Sequence, residues 1–489
     1  MAIDHDLLSI QEARDLADAA YHALLVWKHA TQEEVDRVCA AMANAAYTAS
    51  AQLGQMAHDE TGYGVPVHKK MKNELGSRGV WESIKNIKTV GVIHHDPDKK
   101  IYDIAWPVGV IAALVPSTNP TSTAMYKVLS AIKARDAIVI APHPSAARCT
   151  YETVRIMANA AEKAGAPKNL MSCMQHISLP GTQELLKHKR VRLILATGGS
   201  AMVKAAHSVG KPAYGVGPGN VPVYVDRSAD LNKAASYIVN SKSFDCSTIC
   251  ASEQAIVADK PIAAQLKQLM VNHGAYFANE EQTERLRKLL FHPNGAINTA
   301  TVGKPAQTVA GMAGFSIPQS ARIIVTPLSI TGKDEPLSRE KLTTVIGWYE
   351  EDGWEAGCER SIDLIMFGGR GHSLVIHATN EDVIMAFGLE KPVFRVLVNT
   401  MGTLGAVGLT TGVMPSMTLG AGGEGGSITG DNINVHHLFN VKRLAYETTP
   451  PPQAILRGPS APTSAAESNT QDIETLVKQV IQEIVRQSK

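Results

Sequence analysis

Between Val108 and Asp226 the chain alternates near-continuous apolar runs with amphipathic ones. VGVIAALVP (108–116) reads as a buried strand, TSTAMYKVLSAIKARD (121–136) as a helix and AIVIAP (137–142) as the next strand. A helical AARCTYETVRIMANAAEKAGAP follows, then the strand VRLILATGG, the helix SAMVKAAHSVG and the strand VPVYVD. Strands apolar on both faces, interleaved with amphipathic helices, predict a parallel sheet covered on both sides. A second α/β run begins near residue 227 and ends near LGAGGEGGSITGDN (419–432). Ahead of these, Ser9-Ile10-Gln11-Glu12 and Thr31-Gln32-Glu33-Glu34 both fit the capping box that opens a helix. Residues 88–106 alternate β-branched positions around an HHDPDKK turn and predict a hairpin.

The tail has another pattern. Residues 449–469 are rich in Pro, Ser and Ala, the composition of a disordered linker. In QDIETLVKQVIQEIVRQSK the apolar residues Ile473, Leu476, Val477, Val480, Ile481, Ile484 and Val485 recur on one helical face. Such a helix either docks on its own enzyme or serves as a tethered binding element.

Composition narrows the function classes. A length of 489 residues suits two or three domains, and 44% apolar residues is ordinary for a globular chain. With 47 basic against 46 acidic residues, the net charge of +1 creates no field for nucleic acid or an anionic membrane. The N-terminus MAIDHDLLSIQEARD has acids where a signal peptide has a basic start, and no run is long enough to span a membrane. Six cysteines in so long a chain argue against a disulfide framework. The expectation is a soluble, cytoplasmic protein.

Two of those cysteines, Cys246 and Cys250, sit in FDCSTICASEQ (244–254). One CxxxC without a second pair falls short of a four-ligand zinc site, so no metal is expected. Buried core cysteines and a nucleophile are evenly matched within this window. The small and polar Ala251, Ser252 and Glu253 that follow Cys250 do not continue a core pattern, which favours chemistry. Asn119, in VPSTNPTST, comes just after a strand, where open α/β sheets place ligands. Its amide suits an oxyanion formed by thiolate attack on a carbonyl, although a turn-forming Asn has the same context. In ATGGSAMVKAA (196–206) a Gly-Gly turn opens a helix whose free N–H groups suit a pyrophosphate.

Taken together, PVGVIAALVPSTNPTSTA, IAPHPSA, ILATGGSAMVKAA, GVGPGNVPVYVD, ICASEQ, EPLSREKL, GGRGHS and PSMTLGAGGEGGS, in that order, resemble the aldehyde dehydrogenase superfamily from about Trp106 to Asp431. The resemblance is closest to the CoA-acylating branch, including microcompartment enzymes. It implies an α/β fold with a Rossmann-like cofactor domain (1–87 and 107–226), an α/β catalytic domain (227–431) and a β oligomerisation arm (88–106 and 432–447). A linker (448–470) and an amphipathic targeting helix (471–489) complete the chain. Cys250 matches the nucleophile, Asn119 the oxyanion side chain, and His372 in GGRGHS a histidine typical of the branch. Gly198, Gly199 and Ser200 match the pyrophosphate turn and Glu340 the acid that holds the nicotinamide ribose. Pro116, Thr118, His143, Thr197, Val216 and Gly217 complete the implied cofactor site. Cys246, where relatives carry Asn or Tyr, and Ile249 are expected to line the substrate pocket.

Two departures from hydrolytic relatives bear on the reaction. Val216 stands where their water-activating glutamate lies, so the usual general base is missing and a thiol such as CoA becomes the acyl acceptor. His143 and Ala146 replace a Lys and Glu that grip the adenosine ribose, which leaves NAD and NADP both open. The resemblance therefore implies NAD (or NADP)-dependent oxidation of a short aldehyde, propionaldehyde or acetaldehyde, to its acyl-CoA inside a bacterial microcompartment. Sulfoacetaldehyde as substrate, a hydrolytic enzyme and an idle cargo protein are the alternatives. The implied partners are a second copy of the chain, as dimer or tetramer, and a shell or cargo protein.

Overall fold

The computed structural model describes residues 4–456 and 470–487. The alternation at 88–106 folds as predicted into two strands, β1 (Gly91–Asp96) and β2 (Ile101–Pro107). The apolar runs then build a five-stranded parallel sheet from β3 (Val110–Val115), β4 (Ala137–Pro142), β5 (Met171–Cys173), β6 (Val191–Thr197) and β7 (Ala213–Val216). Its order is β5-β4-β3-β6-β7, so the chain starts at the centre, winds outward, and returns to build the other half. Every residue of β3 and β4 is buried. So is every residue of the helix Pro120–Lys133 that joins them, which explains why neither strand alternates with polar positions.

A second parallel sheet contains β8 (Val221–Val225), β9 (Glu253–Asp259), β10 (Ala275–Phe277), β11 (Ile323–Pro327), β12 (Val345–Glu351), β13 (Leu374–His377) and β14 (Val396–Val398), in the order β10-β11-β12-β9-β8-β13-β14. Here the sequence boundary needs correcting. VPVYVD falls inside the expected cofactor domain, but β8 pairs with β9 and β13, so the sheets change over within 217–220 rather than after Asp226. The last strand, β15 (Phe439–Ala445), pairs with β2 to complete a three-stranded sheet of order β1-β2-β15.

The N-terminus also departs from expectation. Thr31 caps its helix with a reciprocal Glu34 bond, as the capping box predicts. Ser9, however, lies inside a helix that begins at His5 and is capped by Asp4. Its hydroxyl donates instead to the His176 carbonyl at 2.6 Å.

Residues 94–102 and the described residues from 443 onward form a compact unit of their own. Within it His95 stacks on Tyr102 with ring centroids 4.0 Å apart. The expected linker holds a short helix, Gln453–Leu456, and residues 457–469 lie outside the described residues. The tail helix spans Thr470–Gln487. Leu476, Val477, Val480 and Ile481 are exposed along it, while the side chains of Ile473 and Val485 lie outside what is described.

Candidate active site

The order of the first sheet creates a switch point between β3 and β6, and open α/β sheets bind ligands outside the carboxyl ends of strands at such a point. Pro116, Thr118 and Asn119 follow β3, His143 follows β4, Gly198 and Gly199 follow β6, and Gly217 follows β7. The second sheet presents its amino edge to the same space: Cys250 precedes β9 and Glu340 precedes β12. These residues, with Thr197, Val216 and Ile249, line one cavity of about 430 Å³. A larger groove of about 830 Å³, bordered by Glu280, Glu281, Arg285 and Arg287, is lined by no cysteine and by none of the expected site residues, so the smaller cavity is the candidate site.

Cys250 follows a kink in which Asp245, Cys246 and Ser247 all take positive φ (47°, 51° and 65°). Three consecutive non-glycine residues in the left-handed region are costly and persist only where the surroundings impose them. The surroundings here are specific. The Asp245 carboxylate accepts the Val65 N–H at 2.7 Å and the Thr248 hydroxyl at 2.6 Å, and its own N–H donates to His68 Nδ1 at 2.9 Å. Lys69 and Lys72 both bond its Oδ2. All three ionic side chains are buried, and although burial pushes the Asp245 pKa up, the two lysines more than offset it and hold the carboxyl below its usual range.

The kink separates the two cysteines. Cys250 is half-buried at the cavity, whereas Cys246 is buried and is not among the residues lining it. Of the two residues expected to line the substrate pocket, Ile249 lies in the cavity wall and Cys246 does not.

The Nε2 of His372 lies 3.1 Å from the Cys250 Sγ. His372 is buried, and burial, then the nearby Arg395, push its pKa down to about 3. Burial, then Glu340, push the Cys250 thiol up to about 12 against the opposing pull of Arg395. Both partners are thus neutral at working pH. The imidazole Nδ1 lies 3.1 Å from the Ser373 hydroxyl, which accepts the Arg395 Nε–H at 3.1 Å. Arg395 also donates to the His372 carbonyl at 2.7 Å and the Gly420 carbonyl at 2.5 Å. When Nδ1–H donates to Ser373, the Nε2 lone pair faces the thiol, as a general base requires.

Asn119 occupies the cap position of the helix Pro120–Lys133, yet its side chain makes no capping bond. Its Oδ1 accepts from Lys72 Nζ at 2.6 Å and its amide donates to the Thr248 carbonyl at 3.0 Å and the Thr118 hydroxyl at 3.2 Å. That diversion from the usual capping role separates this residue from an ordinary turn asparagine.

The cofactor expectation meets open backbone. A Cβ placed on Gly199 or Gly217 would meet nothing within 4 Å, so both backbones border free space in the cavity, Gly199 as the cap of the helix Ser200–His207. That arrangement fits a phosphate-bearing dinucleotide; the Ser200 side chain lies outside what is described. Glu340 accepts the Gly219 N–H at 3.0 Å, and burial raises its pKa to about 7. Beneath the switch point Lys127 donates to the Leu114 and Leu195 carbonyls at 2.7 and 2.9 Å, tying β3 to β6.

Comparison with known proteins agrees with this architecture. The chain is 39% identical over 424 residues to aldehyde-alcohol dehydrogenase 2 of Entamoeba histolytica, covering 85% of this chain and 49% of that protein. It spans about half the length of the curated aldehyde-alcohol dehydrogenases it matches. It is 36% identical over 445 residues to the acetylating succinate-semialdehyde dehydrogenase of Clostridium kluyveri, covering 90% of this chain and 96% of that one. Among solved structures, an acetylating aldehyde dehydrogenase from Geobacillus thermoglucosidasius superposes with a TM-score of 0.91 at 46% identity, over 92% of this chain and 100% of that one. The propionaldehyde dehydrogenase of the Clostridium phytofermentans fucose utilisation microcompartment gives 0.80 at 28%, over 88% and 96%. Residues 6–283 match the aldehyde dehydrogenase family, and with these relatives and the shared fold the chain belongs to that family.

Proposed function

We propose that this chain is a CoA-acylating aldehyde dehydrogenase. The observation that carries the reading is the Cys250–His372 pair at a cavity in which Val216 occupies the end of β7. His372 takes the thiol proton on Nε2 as Cys250 Sγ attacks the aldehyde carbon, giving a thiohemiacetal. The Asn119 amide turns from its present partners to stabilise the oxyanion. The Gly198–Gly199 turn and Glu340 would hold a nicotinamide dinucleotide, which would supply the hydride acceptor needed to oxidise this adduct to the thioester. Val216 offers no carboxylate to activate water, and Glu340 is engaged by Gly219. With the usual water-activating carboxylate missing, the thioester is left to a thiol, the better nucleophile toward it. Once His372 has released the first proton to solvent, CoA enters, His372 accepts the CoA thiol proton, and as acyl-CoA leaves that proton returns to Cys250 Sγ, restoring the neutral pair.

The apolar walls Ile249, Ile297, Val302, Leu342 and Val407 favour a short aliphatic aldehyde, propionaldehyde or acetaldehyde, over the charged sulfoacetaldehyde or succinate semialdehyde. NAD and NADP both remain compatible with the site. The β1-β2-β15 sheet has two edge strands, which supports the reading of an arm that pairs with another copy. The exposed apolar positions of the tail helix support its reading as an encapsulation element that docks on a microcompartment shell or cargo protein. NADH formation with propionaldehyde, measured with and without CoA and with product identification, tests the proposal. Acyl-CoA as the dominant product supports it; free carboxylate formed equally fast without CoA makes the enzyme hydrolytic, and no NADH with any aldehyde removes the activity.

A further inference from the structure

Lys72 has three acceptors around its ammonium: Asn119 Oδ1 at 2.6 Å, Thr248 Oγ1 at 3.2 Å and the Asp245 carboxylate. An ammonium has three N–H donors and no acceptor, so this set is complete. Lys72 sits on the helix Pro66–Glu74 and reaches the site from a part of the chain that carries none of its motifs. It is 4% exposed and Asp245 0%, so neither water nor salt weakens the arrangement.

We propose that Lys72 is a positioning residue for the oxyanion site: it fixes which end of the Asn119 carboxamide faces the reacting carbonyl and strengthens that end as a donor. The inference rests on the assignment of Asn119 to the oxyanion. Only Oδ1 can face an ammonium; the rotated carboxamide would set its NH₂ group against Lys72 and its oxygen against the Thr248 carbonyl, a clash at both ends. The NH₂ group is therefore held toward Thr248, which lines the cavity with Asn119 and Cys250. The bond to a cationic donor draws electron density from the carboxamide and makes its N–H groups better donors to a forming oxyanion. Asp245 holds Lys72 in place, and Lys69, bonded to the same carboxylate at 3.2 Å, leaves two cations facing one anion. His68 and Cys246 are the other titratable groups beside this cluster.

The test is a double-mutant cycle on the full chain, with kcat and KM for propionaldehyde read from NADH formation and melting temperatures recorded alongside. Lys72→Gln keeps a neutral donor within reach of Asp245 and Asn119, whereas Lys72→Met removes it. We expect Lys72→Met to lower kcat on the order of tenfold to a hundredfold, with KM within about threefold, and Lys72→Gln to fall between it and the parent. Combined with Asn119→Ala, either Lys72 substitution should cost nothing further, because the group it acts through is gone. Lys72 effects that multiply in full on the Asn119→Ala background overturn the proposal, as does Lys72→Gln turnover equal to the parent. Should Lys72→Met not fold, the cycle is read with Lys72→Gln. Asn119→Ala with near-parent kcat would instead refute the oxyanion assignment itself.

Discussion

His372 Nε2 and Cys250 Sγ lie 3.1 Å apart although 122 positions separate them in the chain. The pair combines a thiol pushed up to about 12, chiefly by burial, with an imidazole pushed down to about 3, also chiefly by burial. The resting enzyme thus holds a neutral pair, and the thiolate forms as the proton moves during attack. We expect Cys250 alkylation by iodoacetamide to keep rising with pH past 9, with no plateau near neutrality. The imidazole stays unprotonated down to about pH 3, so its protonation causes no loss of turnover between pH 7 and 5. His372→Ala should reduce turnover by roughly a hundredfold or more. A plateau in alkylation below pH 7 would mean a stable thiolate and a different role for His372.

Asn119→Ala should lower kcat far more than it raises KM, because charge on the carbonyl oxygen develops only during attack. Loss of one oxyanion donor costs about 3 kcal/mol, or on the order of a hundredfold in rate. Steady-state kinetics with propionaldehyde measure this.

Val216 ends β7 at the wall that also holds Cys250. Val216→Glu should give the thioester a water-activating carboxylate and introduce free-acid release without CoA. Carboxylate measured in CoA-free reactions of mutant and parent decides it; equal amounts would show that the missing base is not what blocks hydrolysis.

Glu340 gives a pH dependence with a definite sign. Its carboxyl is raised from 4.5 to about 7, so the folded state binds this proton more tightly than the unfolded chain does. The resulting stability is complete below about pH 4.5 and is lost as pH rises through about 7. Glu340→Gln removes that dependence. Relative to the variant, the parent should lose up to about 3 kcal/mol between pH 4.5 and 8 in urea unfolding. A constant difference across that range would show that the buried acid does not titrate as described.

Removing residues 463–489 should leave the turnover of the remaining enzyme within about twofold, since the residues lining the active-site cavity all lie between Tyr63 and Leu419. The same segment fused to a fluorescent protein should enter microcompartments, and Val477→Glu with Ile481→Glu should abolish that. Loss of activity or oligomeric state on truncation would assign the helix to the enzyme's own assembly.

Strands β3, β4, β6 and β8 were legible because a parallel sheet buried on both faces leaves near-continuous apolar runs, whereas the short β5 (Met171–Cys173) and β7 (Ala213–Val216) leave no such run and were not legible. Nor was the change of sheet at 217–220, because VPVYVD looks the same in either sheet and only its partners, β9 and β13, decide. Ser9 misled for a related reason: a capping-box pattern can fall inside a helix, where its hydroxyl finds a distant carbonyl. Residue identities and order pointed to Cys250, Asn119, Glu340 and His372. The groups that hold them left no local signal. Lys72 lies in PVHKKMKNE, an ordinary charged helix, and meets Asn119 and Asp245 only in the folded chain. Arg395, in KPVFRV, likewise reaches His372 only across β13 and β14.

The claim on which the rest depends is that Cys250 carries the acyl group until a thiol removes it. Enzyme incubated with propionaldehyde and NAD in the absence of CoA, then analysed by intact-protein and peptide mass spectrometry, tests this directly. The account predicts one propionyl group on the peptide containing Cys250, none in Cys250→Ala, and its quantitative conversion to propionyl-CoA once CoA is added. An unmodified Cys250 accompanied by accumulating propionate, or acylation on Cys246 instead, would contradict it.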